Sequence, residues 1–207
     1  MRQVEGTETT GNLRPGRPTD ADACARVCYE AFGSLAATHN FPSDFPSVEV
    51  ARGLMTMLLS HPRFYSVIAE RDGEIVGSNF LDERSTIAGL GPITVSPKVQ
   101  NLGVGRQLME AAVERAVERG VPGVRLLQAA YHCRSLALYA TLGFKPRDTI
   151  ACMQGPPMGI SVPGHHVRRA RESDLDSCNR VCSLVHGHDR GGELLDAIRE
   201  GRLGCGR

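Results

Sequence analysis

The chain reads as an α/β domain, a mixed sheet with helices on both faces, and three observations predict it. A β-branched run, Ile93-Thr94-Val95, leads through a glycine-punctuated loop into an amphipathic helix. Two further strand-like runs flank Arg71-Asp72-Gly73, where Asp-Gly signals a tight hairpin. Helical and extended stretches alternate along most of the remaining chain.

Taken in order, residues 1–12, rich in Thr, Gly and Glu, read as a disordered tail, and an edge strand follows near Leu13. Thr19 is placed to cap a helix from Asp20 to about Thr38, with Asp22 three residues on. The prolines of His39–Pro46 make a loop, after which a helix is expected near Val48 to Leu59. Strands are expected at Phe64–Ala69, Glu74–Leu81, Leu90–Val95, Val124–Ala130 and Ile150–Gln154. Pro97 cannot donate to a ladder and stops the strand at Leu90–Val95. From Gly105 on, Leu108, Met109, Ala112, Val113, Ala116 and Val117 form one apolar helical face. Glu110, Glu114, Arg115, Glu118 and Arg119 occupy the other, and Gly120 and Pro122 end the helix.

A short repeat lies at an offset of 154 residues. Arg14–Cys28 aligns without a gap to Arg168–Cys182, identical at eight of fifteen positions, each copy reading as strand, Thr19 or Ser173 cap, and helix. Cys24/Cys28 and Cys178/Cys182 fall at i, i+4, and no further metal ligands lie nearby, so they read as packed thiols and no metal is expected. The expected organisation is a tail (1–12), a first domain (13–155), a Pro/Gly linker (156–165) and the start of a second repeat (166–207). About forty residues are too few for a second complete domain, which predicts a tandem protein cut short.

The loop after the fourth strand carries the chemistry. A helix that opens on Gly103-x-Gly105 leaves backbone N–H groups unpaired at the positive end of its dipole, which favours an anion. Glycines let the backbone approach a pyrophosphate, Arg106 adds a charge and Gln100 a neutral hydrogen bond. The nucleoside triphosphate loop is excluded, since no Lys-Ser/Thr follows the second glycine. The dinucleotide fingerprint is excluded too, since Leu108 stands at its third glycine.

Gln100-x-x-Gly103-x-Gly105 between strand and helix resembles the acetyl-CoA signature of the GNAT superfamily of N-acetyltransferases, and Leu138-Tyr139-Ala140-Thr141-Leu142-Gly143-Phe144 resembles a second motif of that family in register. The resemblance covers about Asn12 to Gly155. It implies a mostly antiparallel sheet of six to seven strands, splayed at the acetyl-CoA site. It implies direct transfer of acetyl from acetyl-CoA to an amine of a small molecule or protein. Ile93, Thr94 and Val95 would bind pantetheine by backbone pairing, and Gln100, Asn101, Leu102, Gly103, Val104, Gly105 and Arg106 would hold the pyrophosphate. Tyr139 would protonate the departing thiolate. His132 and Ser135 stand where the family commonly has Asn and Ala, and Ser135 is expected to face the cofactor.

No general base stands out. Water serves, or Asp82 and Glu83 at the end of the third strand, while His39, Phe41 and Phe45 either shape the acceptor pocket or pack. Cys133 lacks an activating partner beyond His132, which speaks against an acyl-cysteine route. The second reading is a non-catalytic acyl-CoA-binding or sensory module. A net charge of +1 and no basic run argue against nucleic acid. The absence of a long apolar segment argues against a membrane, and seven cysteines without close Cys-x-x-Cys spacing suit the cytoplasm. A homodimer is compatible with the sequence.

Overall fold

The structure is a computed structural model that describes residues 11–153, 155–156, 159–201 and 204–206. Residues 1–10 of the expected tail, Gln154 of the last expected strand, and Pro157 and Met158 of the expected linker lie outside the described residues. The chain divides into two compact units, Met1–Glu83 with Ile87–Leu138, and Arg84–Thr86 with Tyr139–Arg207.

The first unit is built on a six-stranded sheet. Its strands are β1 (Asn12–Pro15), β2 (Phe64–Arg71), β3 (Glu74–Asp82), β4 (Ala88–Leu90), β5 (Thr94–Val95) and β6 (Val124–Arg125). The order is β1-β2-β3-β4-β6, with β5 also on β3, and every pairing is antiparallel except the parallel β4–β6 pair. Asn12 belongs to β1 and pairs with Glu70, so the ordered chain begins before Leu13. Asp72 and Gly73 both have positive φ, 53° and 78°, the geometry a two-residue hairpin demands.

The sheet is covered on both faces. On one lie α1 (Ala21–Thr38) and α2 (Val48–Ser60), whose Cys24, Cys28, Ala51, Met55 and Leu58 bury against Ile68 of β2 and Phe80 of β3. Ser47 caps α2, accepting the Val50 N–H at 3.4 Å. Burial pushes both Cys24 and Cys28 thiols up to about 12, so they behave as small apolar side chains. On the other face α3 (Val104–Glu118) sets Val104 and Leu108 against Val67, Ala69 and Val76. Alternation along β2 sends Ile68 one way and Val67 and Ala69 the other.

Three expected elements differ. The strand foreseen over Leu90–Val95 is two, because Gly91 takes a φ of 117° and Pro92 has no N–H for a ladder. Val124–Ala130 is a strand only at Val124–Arg125. β4 pairs with it at Ala88 and Gly89, whereas β5 pairs with β3, so the residues after Arg125 have no ladder to join. No strand forms over residues 150–153, where Ile150 and Met153 are exposed.

Neither Thr19 nor Ser173 caps its helix. Each lies within a single 3₁₀ turn, Pro18–Asp20 and Glu172–Asp174, whose last residue is an aspartate that reaches back to the backbone N–H three residues earlier and does not cap the helix that follows. Asp20 accepts from the Arg17 N–H at 2.8 Å and from both Arg14 terminal nitrogens at 2.7 and 2.9 Å. Arg14 also reaches Glu70 on β2. In the second unit Asp174 accepts from the Arg171 N–H at 2.9 Å and from Arg168 at 2.7 and 2.8 Å. The second unit continues as the first does, from β7 (Val167–Arg169), paired antiparallel with β8 (Gly204–Gly206), into α5 (Leu175–His186), followed by α6 (Gly191–Arg199). There the equivalent helix face is open: Val27 is 8% exposed and Val181 61%. Within the same unit Arg84 pairs with Asp196 at 3.0 Å.

The Arg14 hydrogen bond holds the Asp20 carboxyl below its ordinary value of 3.8. A depressed native pKa contributes stability that is present above the ordinary value and lost as pH falls through the native one. Asp20→Ala is therefore expected to cost about 1–3 kcal/mol at pH 7, measured by urea unfolding, and less near pH 3. An equal cost at both pH values contradicts this account.

Candidate functional site

The site begins at β5. Its register with β3, Ser78↔Thr94 and Gly77↔Val95, together with the Ser96 N–H on the Val76 carbonyl at 2.8 Å, makes Thr94 a hydrogen-bonded pair and Val95 a non-bonded one. Thr94 therefore turns its backbone toward β3, and its hydroxyl lies 2.9 Å from that of buried Ser78. This corrects the expectation that Thr94 offers its backbone to pantetheine. Val95 points its N–H and carbonyl to the other side of β5, where no strand among the described residues pairs with it, and Ile93 lies just before the strand.

The loop beyond has the shape of an anion cradle. Asn101 and Gly103 take positive φ values of 70° and 86°, and α3 starts at Val104 with Gly103 as its left-handed cap. Gln107 N–H is the first to find an acceptor in the turn, the Gly103 carbonyl at 3.1 Å. The N–H groups of Val104, Gly105 and Arg106 precede the first intrahelical bond and point out of the helix end. Val104 is fully buried and offers only its backbone, Leu102 is half-buried, and Arg106 is exposed with Glu110 3.5 Å away.

Gly105 tests whether a ligand fits. A Cβ added there would stand 3.7 Å from both Leu138 Cδ2 and Val95 Cγ2, ordinary contact, so protein packing does not demand glycine. What a side chain at 105 would obstruct is the approach to the helix N–H groups, the place a pyrophosphate needs. The residues present fit a phosphate-bearing ligand such as coenzyme A.

Gln100 differs from expectation. Its Nε2 donates to the Val95 carbonyl at 3.2 Å and its Oε1 accepts from Arg134, so it braces the loop instead of facing the pyrophosphate. Arg134, which no motif singled out, lies in α4 (Cys133–Thr141). His132 immediately precedes this helix, and its carbonyl accepts the Leu136 N–H at 3.2 Å. Ser135 Oγ lies 2.8 Å from His132 Nδ1, so its hydroxyl is engaged with that ring. Burial first, then the charges of Arg134 and His39, hold the His132 imidazolium below the usual histidine range and leave the ring neutral at pH 7. Tyr139 is buried on α4, its carbonyl accepting from Leu142 and Phe144 N–H at 3.0 Å each. His132, Ser135 and Tyr139 fall at i, i+3 and i+7, one face of this turn and helix.

Glu83 is not a free base. Arg115 binds it at 2.7 Å and Arg119 at 3.5 Å, a clamp between the end of β3 and α3. Phe41 stacks on Tyr131 with centroids 4.6 Å apart and His39 meets the same ring at 4.8 Å, while Phe45 packs edge-on against Phe32. Two buried polar residues escaped sequence reasoning: Ser78, and Asn79, which donates to the Leu108 carbonyl of α3 at 3.0 Å. Their place inside an apolar strand run was the available signal. Among the described residues no group of three or more His, Cys, Asp or Glu is placed to hold a metal, and no helix is long and apolar enough to cross a membrane.

Known proteins share this arrangement. The mycothiol acetyltransferase of Acidothermus cellulolyticus is 33% identical over 149 residues, 64% of this chain and 43% of that protein. The mycothiol acetyltransferase of Thermomonospora curvata is 32% identical over 91 residues, 44% of this chain and 31% of that one. The chain thus spans less than half the length of either relative. Among solved structures, the PaiA N-acetyltransferase of Thermoplasma acidophilum in complex with coenzyme A shares the fold with a TM-score of 0.58 at 19% identity, over 67% of this chain and 92% of that one. The acetyltransferase (GNAT) family matches residues 34–144. That span takes in the outward edge of β5, the glycine turn and α4 through Phe144, and by this match over more than half its length the chain belongs to the GNAT family.

Proposed function

We propose that this chain transfers an acetyl group from acetyl-CoA to an amine, and the observation that carries the reading is the cradle itself. Three helix-end N–H groups follow two residues of positive φ, one short 3₁₀ turn beyond a strand whose outer edge pairs with no other strand among the described residues. In this reading Leu102 to Arg106 bind the pyrophosphate, and Ile93 and Val95 pair with the pantetheine amides as an added strand would. Bound acetyl-CoA supplies the acetyl thioester. The N–H of an outward strand residue stands as donor to the thioester oxygen, where it stabilises negative charge that grows during attack. The acceptor ammonium gives one proton to water. Its nitrogen then bonds to the acetyl carbon, the carbon–sulfur bond breaks with its electron pair on sulfur, Tyr139 protonates the thiolate, and the second proton leaves the acylated nitrogen and passes through water to restore the tyrosine.

The assay is thiol release from acetyl-CoA with a panel of amines, corrected for hydrolysis. Amine-dependent release supports the transferase, and binding without release supports a non-catalytic acyl-CoA-binding module. Tyr139→Phe is expected to lower kcat roughly 100-fold with little change in coenzyme A affinity. Full turnover in that variant assigns Tyr139 to packing alone.

The domain organisation belongs to the same proposal. Residues 166–207 are read as the opening of a second GNAT-like repeat. The recurrence of Arg168–Asp174–Arg171 in the bonding pattern of Arg14–Asp20–Arg17 supports this reading. The helix caps agree as well, with Arg17 at φ −128°, ψ 151° and Arg171 at φ −121°, ψ 161°.

A further inference from the structure

Arg134 links α4 to the glycine turn. One terminal nitrogen donates to Gln100 Oε1 and the other to Asn101 Oδ1 at 3.3 Å. Both acceptors are neutral amides, and no carboxylate among the described residues pairs with this guanidinium. An exposed arginine normally gains little from neutral partners. The planar fork matches phosphate oxygens better, and an anionic acceptor binds the guanidinium more strongly than a neutral amide oxygen does. The two side chains it spans belong to the start of the turn that leads to the N–H groups of Val104, Gly105 and Arg106. Gln100, in turn, covers the outward carbonyl of Val95 with its Nε2. The contacts of Arg134 therefore tie the phosphate end of the site to the strand edge.

Resting on the acyl-CoA reading above, we infer that Arg134 is a binding residue for the pyrophosphate of the acyl-CoA, held in readiness by Gln100 and Asn101 and passing from these amides to the phosphate oxygens. When it does so it leaves Gln100, whose amide is then free to give up the Val95 carbonyl to a pantetheine N–H. Two contacts between a cation and neutral amides are exchanged for contacts between opposite charges, and one loop movement serves both ends of the ligand.

The test is calorimetry with coenzyme A and with dephospho-coenzyme A, which lacks the 3′-phosphate and keeps the pyrophosphate. In Arg134→Gln both dissociation constants are expected to rise roughly 10- to 100-fold, and the salt dependence of binding to weaken. Arg134→Lys keeps the charge without the fork and should recover part of the loss; it also guards against a folding defect, which thermal melts of both variants would report. Unchanged affinity in Arg134→Gln overturns the inference while leaving the acyl-CoA reading intact. A loss confined to coenzyme A overturns it as well, since it puts the guanidinium on the 3′-phosphate. Wild-type protein that binds neither ligand overturns the acyl-CoA reading and this inference together.

Discussion

Gly103→Glu is expected to remove measurable coenzyme A binding while leaving most of the protein folded. Two effects add at this position. Gly103 caps α3 at φ 86°, where a residue with a Cβ costs roughly 1 kcal/mol. The larger effect is electrostatic: a carboxylate would occupy the positive end of the helix and repel the pyrophosphate that the N–H groups should attract. A loss of at least about 100-fold in affinity is expected. Gly103→Asn separates the two effects, because asparagine accepts positive φ and carries no charge. It should retain much of the binding that Gly103→Glu loses. Equal affinity in wild type and Gly103→Glu would show that phosphate does not bind here.

Gly77→Val is expected to be the most destabilising single change in the first unit. A Cβ on Gly77 would stand 2.9 Å from the Thr94 carbonyl oxygen and 2.9 Å from Leu108 Cδ1, with Val104 Cγ1 at 3.4 Å. A side-chain tip can yield, but the Thr94 oxygen is backbone of β5. Relief requires moving that strand off β3 or lifting α3 from the sheet. Lifting α3 also pulls on the Asn79–Leu108 bond and leaves a buried amide without its acceptor. Overpacking at a site fixed by backbone places the cost at about 3 kcal/mol or more, read from urea unfolding. Because β5 carries the strand edge of the site, folded Gly77→Ala should bind coenzyme A more weakly than wild type. A wild-type unfolding midpoint in Gly77→Val would contradict the close docking of α3.

Where the local signal and the tertiary outcome agree, the sequence was sufficient. Asp72-Gly73 forces its hairpin whatever packs on it, and the apolar face through Leu108, Met109 and Ala112 leaves α3 no other side to bury. The glycine turn was legible for the same reason, since Gly103 and Asn101 supply positive φ locally. What escaped depends on partners distant in the chain. Leu126 and Leu127 have strand-like composition, yet β5 goes to β3 and leaves them unpaired. Ile150 looked like a strand residue for its side chain alone. The expected Thr19 cap does not form because Pro18–Asp20 is a 3₁₀ turn closed by Asp20, which accepts from the Arg17 N–H and from the Arg14 guanidinium. Glu83 read as a strand-end carboxylate, solvated or facing the acceptor cleft, whereas Arg115 and Arg119, more than thirty residues away, take it up. Arg134 was invisible because no spacing rule connects it to Gln100.

The most direct measurement is calorimetric titration of the whole chain with acetyl-CoA, followed in the same cell by a mixed set of amines. The account predicts binding near micromolar, about −8 kcal/mol, and then heat from turnover with free coenzyme A accumulating. No binding at concentrations far above this range would contradict the central claim that the turn from Gln100 to Arg106 is an acyl-CoA phosphate site.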